Sequence, residues 1–134
     1  MDEILNFIMK YCRDLYMKYG FRFVDSEVSN SFNNALIILE NEYLKLQFTR
    51  DRSQLFLWVH SSFDKKENNW YTFDLIRQLI TGEKEYYSLL DDKNGQFIQK
   101  NVDRILALFK QDVVEDTLIK LGRLEKIRTK QLFK

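Results

Sequence analysis

Between residues 35 and 60 the apolar residues adopt a two-residue period. Leu44, Leu46 and Phe48 alternate with Lys45, Gln47 and Thr49, and Leu55, Leu57 and Val59 alternate with Phe56, Trp58 and His60. That period sends alternate side chains to opposite faces of a strand. Ala35–Leu39, just before, is a short unbroken apolar run suited to a central strand. The links Glu40-Asn41-Glu42 and Arg50-Asp51-Arg52-Ser53 are far shorter than the dozen or so residues a parallel crossover needs. Strands over 35–39, 43–49 and 55–60 must therefore run antiparallel. Phe21–Val28 precedes them as a fourth strand, joined through a polar loop at 29–34.

The flanking period is helical. Ile4, Ile8, Tyr11, Cys12, Leu15 and Tyr19 recur at three and four, predicting one helix over 3–19 with Gly20 as a left-handed stop. After a polar loop at 61–69, Thr72 is placed to cap a helix running to Ile80, which Gly82 ends. Residues 84–90 suggest at most a turn of helix, and Asn94-Gly95 is expected to break the chain. Further helices follow over 97–110 and from Asp112 toward residue 130. Strands grouped together and helices grouped after them predict an α+β fold: an N-terminal helix, a four-stranded antiparallel meander, and three to four C-terminal helices on one face.

A chain of 134 residues without proline or a Gly/Ser-rich linker is expected to form one domain over 1–134. The 45% apolar content, with 11 Phe, 7 Tyr and 2 Trp, argues against disorder. A net charge of +1 is not the basic excess of a typical nucleic-acid binder. The lone cysteine, Cys12, cannot make an internal disulfide, and Met-Asp-Glu-Ile carries acids where a secretory signal is basic. No apolar run approaches the roughly 18 residues of a membrane span. Cytoplasmic location without a membrane partner is the expectation.

Few residues offer bond-making chemistry. His60 and Cys12 are the only residues of their types, so the usual zinc ligand sets cannot be assembled within one chain. Asp91-Asp92-Lys93-Asn94-Gly95 has the flavour of a calcium loop, with its glycine one place early. Neither glycine-rich phosphate loop occurs. Neither a metal nor a cofactor is expected.

His60 with Ser61, Ser62 and Asp64 supplies the letters of a triad, and carries the alternative of a small hydrolase acting on a nucleotide or phosphate ester; a strand-end histidine entering a polar loop accounts for the same letters. The carboxylate pairs Glu40/Glu42, Asp91/Asp92 and Glu115/Asp116 suit general acid–base work only in environments that split their pKa values, and otherwise belong to turns and helix starts. Cys12 lies on an apolar stripe, the place of an inert thiol. Residues 120–134 hold Lys120, Arg123, Lys126, Arg128, Lys130 and Lys134 against Glu125 alone. This is either a nucleic-acid accessory patch or a helix end whose cations complement its dipole.

The aromatics are more suggestive. Phe56, Trp58 and His60 share one face of a strand, and Trp70 and Tyr71 follow the next loop. On an open sheet face these rings would anchor a protein interface, with Asp51 and Arg52 as polar contacts at its rim. With both faces covered they would pack the sheet instead.

The runs Ser31-Phe-Asn-Asn-Ala-Leu-Ile-Ile-Leu-Glu and Leu44-Lys-Leu-Gln-Phe-Thr-Arg-Asp-Arg-Ser-Gln, then a tryptophan before a Leu-rich helix, cover roughly residues 25–125. This cadence resembles small bacterial cytoplasmic proteins of unassigned function, several of them grouped with the immunity proteins of contact-dependent or polymorphic toxin systems. The resemblance implies a non-enzymatic protein-binding domain with a cognate toxin as partner. Separately, a monomer or homodimer is expected. It assigns no functional residue.

Overall fold

The computed structural model describes residues 1–29, 34–84 and 87–132, the last without its side chain. Of the expected features, residues 30–33 of the first loop, 85–86 of the ambiguous segment and Lys134 of the basic stretch lie outside the described residues.

The chain is α+β. Helices α1 (Asp2–Tyr11) and α2 (Arg13–Lys18) precede strands β1 (Arg22–Val28), β2 (Ala35–Glu40), β3 (Leu44–Asp51), β4 (Gln54–Ser61) and β5 (Tyr71–Thr72). Helices α3 (Phe73–Thr81), α4 (Asp92–Ala107) and α5 (Val114–Leu132) follow. The sheet is an antiparallel meander in the order β1-β2-β3-β4-β5.

Register follows the hydrophobic alternation. Leu39 faces Leu46, which faces Val59; Ile37 faces Phe48, which faces Leu57. All six are buried under the helices, and a one-residue slip would turn them to the other face. Ile4, Phe7, Ile8 and Tyr11 of α1 join them in the hydrophobic core, with the Phe7 and Phe48 rings 6.5 Å apart. Complete burial of a side chain of this size contributes about 1.5–3 kcal/mol.

Several expectations are corrected. The sheet has five strands rather than four, because Tyr71-Thr72 pairs with Trp58 and Val59. The first helix breaks at Cys12 (φ −120°, ψ 17°), although Gly20 is left-handed as expected (φ +73°) and a bond from Phe21 N to Leu15 O closes the end. Asn94-Gly95 does not break the chain: both residues are buried inside α4, which starts at Asp92 and kinks instead at Asn101. Asp91 caps that helix by accepting from Asn94 N, and Asn94 Nδ2 donates to Leu89 O at 2.6 Å. Tertiary contacts thus supply what the local sequence lacks.

Thr72 stands at the N-cap of α3 without a side-chain cap bond; its hydroxyl goes to Asp74 instead. Gly82 ends α3 with φ +76°. Leu90 N donates to Leu55 O, adding one bond to the β4 edge beyond its pairs with β5. The other edge strand is β1, all of whose residues are exposed and which, among the described residues, pairs only with β2.

Candidate functional site

The face of the sheet away from the helices carries the alternate positions of each strand. Cross-strand pairs align them into rows: Asp25–Ile38–Gln47–Trp58, and Glu27–Leu36–Thr49–Phe56. On β2 to β4 these outward residues are half-buried, leaning on one another instead of under a helix layer. At the end formed by the β3–β4 turn they bound a groove of about 540 Å³, with Phe56, Trp58, Leu36, Gln47 and Thr49 as its floor and Glu27 and Asp51 at its rim.

The turn itself is Arg52-Ser53, both at positive φ (51° and 76°). Two positive-φ residues define the type I′ hairpin loop, whose twist suits the strands it joins. Asn34 fastens it to the neighbouring connection by accepting from Arg52 N at 3.2 Å. Arg50, between the outward Thr49 and Asp51, projects to the helical side, where Nη2 lies 3.5 Å from Glu3 Oε1.

The residues singled out from the sequence are thus divided. Phe56, Trp58 and Asp51 come together in the groove. Arg52 is exposed at the turn and is not among the groove's lining residues. Tyr71 stands opposite Val59 and is buried on the helical side, where its hydroxyl accepts from Asn69 Nδ2 at 2.9 Å and burial raises its pKa.

His60 and Trp70 form a pair of their own at the far end of β4, ring centroids 5.3 Å apart. His60 is only 8% exposed, and its Nδ1 lies 2.9 Å from Asn69 O. A carbonyl only accepts, so Nδ1 carries the proton. The Asp64 carboxylate accepts from Asn69 Nδ2 and Lys66 N, and Ser61 is buried on the opposite face, its Oγ accepting from Phe63 N. Of the triad letters, His60 and Asp64 thus each bond Asn69 instead of one another, and Ser61 lies on the other face.

Among the described residues, no three or more His, Cys, Asp or Glu side chains converge as a metal would require. No helix there is long and apolar enough to cross a membrane. Cys12 is buried, and desolvation pushes its thiol up to about 12. The basic stretch of α5 is partly spent internally: Arg128 pairs with Asp74 at 2.8 Å, and Lys120 with Asp116 at 2.8 Å.

Sequence reasoning did not single out Glu27, Leu36, Gln47 and Thr49 as neighbours of Phe56 and Trp58. The available signal was their shared parity on adjacent strands, which requires the register to be known. Compared with protein-family models, curated proteins and solved structures, the chain finds no significant match.

Proposed function

We propose that this is a non-enzymatic, cytoplasmic protein-binding domain that receives its partner on the open face of the sheet. The observation that carries this reading is the placement of Phe56 and Trp58, half-buried and side by side in a broad groove that, among the described residues, no helix lines. Rigid aromatic rings in a shallow depression are the anchors that dominate interface energetics, because they exclude water over a large area at little entropic cost. The bonds of His60 Nδ1, the Asp64 carboxylate and Ser61 Oγ to groups other than one another favour binding over hydrolysis. The internal pairing of Arg128 and Lys120 weighs against a nucleic-acid role for α5.

With the immunity-protein resemblance, the partner is a toxin domain encoded beside this chain, and binding neutralises it. Co-expression with the neighbouring gene product, followed by size-exclusion chromatography, tests the proposal. The two elute together when the wild type is used, and separately when Phe56→Ala or Trp58→Ala replaces it. Separate elution of the wild type at micromolar concentration, or co-elution unaffected by either substitution, overturns it.

A further inference from the structure

The outward charges of the sheet are unevenly balanced. Arg22 stands opposite Glu40, and Glu40 opposite Lys45, so two cations flank one carboxylate at the end remote from the groove. The remaining outward carboxylates face uncharged neighbours: Asp25 opposite Ile38, Glu27 opposite Leu36 and Asp51 opposite Gln54. No ion pair among the described residues engages these three. Among the described residues that line the groove the one cation is Arg50, whose Nη2 lies 3.5 Å from Glu3 Oε1.

The groove therefore joins two aromatic rings to two carboxylates in a chain whose overall charge is slightly positive. Glu27 and Phe56 are separated by three strand spacings, about 14 Å, whereas Asp51 is a diagonal cross-strand neighbour of Phe56, so the two acids border the depression from opposite sides. A cation lying there meets the negative faces of the rings and the field of two acids at once.

We infer that the groove takes an arginine or lysine side chain from a basic segment of the partner protein, held between Glu27 and Asp51 over Phe56 and Trp58. This assignment rests on the open-face reading above and names the partner chemistry that the face selects. An acidic or purely apolar segment would leave both carboxylates unmatched at the rim, and charge mismatch of this kind is a means of discriminating between partners.

Pentaarginine and pentaglutamate amides, titrated into the ¹⁵N-labelled protein, provide the test. The Trp58 indole signal is assigned by its loss in Trp58→Phe. With pentaarginine, shifts are expected at the Trp58 indole and the amides of Gln47, Thr49 and Phe56, saturating in the millimolar range and vanishing between 50 and 500 mM salt, on the order expected for exposed charges. Glu27→Gln and Asp51→Asn should each weaken binding about two- to fivefold, and together about tenfold. Shifts that are absent, scattered over the surface, equal with pentaglutamate or unchanged in the double variant overturn the inference. If the neighbouring gene product binds the wild type and the double variant alike but is lost with Phe56→Ala, the cation assignment fails while the open face stands. Binding that survives Phe56→Ala removes the open face itself.

Discussion

Arg128, near the end of α5, holds Asp74, in the first turn of α3, with Nη1 2.9 and 2.8 Å from its two carboxylate oxygens. The same Nη1 donates to Thr72 Oγ1, and Ser88 Oγ donates to Asp74 Oδ1 at 2.7 Å. Asp74 is 2% exposed, so its charge is tolerated only because several donors converge on it. The cluster joins the strand β5, the helices α3 and α5 and the segment before α4. Removing one partner of a buried pair strands the other charge, whereas replacing both with apolar groups of similar volume is often neutral. Asp74→Ala or Arg128→Ala should each cost about 3 kcal/mol in urea unfolding, and Asp74→Leu with Arg128→Met should recover most of it. Equal losses in the single and the paired substitutions would show that the ion pair is not the source.

Gly95 is fixed by a contact, not by its backbone. A Cβ there would lie 2.6 Å from Tyr11 Cγ and closer still to the ring edge, where α4 passes over α1. Gly95→Ala should destabilise by about 2 kcal/mol through overpacking, and the loss should shrink in a Tyr11→Ala background. Additive losses in the double-mutant cycle would refute the contact.

These cases show where the residue pattern stops being informative. Strands β3 and β4 are legible because alternation over 44–49 and 55–60 is long enough to fix both type and face. Strand β5 is too short to display any period, and it exists because Val59 and Trp58 offer it an edge. Asn94-Gly95 reads locally as a break, yet the Leu89 carbonyl and the Tyr11 ring make both residues favourable within a helix. The interruption at Cys12 has neither proline nor glycine to mark it. Trp58 and Tyr71 look alike in sequence, but register sends them to opposite faces. The candidate site was thus legible in its rings and illegible in its acidic rim.

The Arg52-Ser53 turn places two ordinary side chains at positive φ. A left-handed L-residue costs about 1–2 kcal/mol, and glycine returns about 0.5–1 kcal/mol of that as lost chain entropy. Ser53→Gly should stabilise the protein by about 0.5–1 kcal/mol, raising its melting temperature. A lowered melting temperature would mean that the serine side chain contributes more than the strain it causes.

Burial holds the Cys12 thiol up to about 12, so at pH 8 only about one molecule in ten thousand carries the reactive thiolate. A disulfide reagent should label the native protein only as fast as the core opens, and immediately in 6 M guanidinium. Fast native labelling at pH 8 would place Cys12 at the surface.

Lys10, Tyr11 and Asp92 tie α1 to the start of α4: the Tyr11 hydroxyl donates to Asp92, and Lys10 Nζ lies 3.4 Å from the same oxygen. That hydrogen bond, then the Lys10 charge, lowers the Asp92 pKa below its ordinary 3.8. The same bond, then desolvation, raises the Tyr11 pKa above its ordinary 10.0. A depressed carboxyl contributes stability above its unfolded pKa and loses it as pH falls through the folded value; a raised phenol contributes below its unfolded pKa and loses it as pH rises through the folded value. The tie should therefore be constant between about pH 5 and 9 and fade on both sides. Tyr11→Phe removes the hydroxyl and keeps the ring, so the stability difference from wild type should form a plateau across that window. It should shrink below pH 4 and above pH 10, as read from urea midpoints at each pH. A difference that stays constant down to pH 2 would show that the hydroxyl contributes nothing through Asp92.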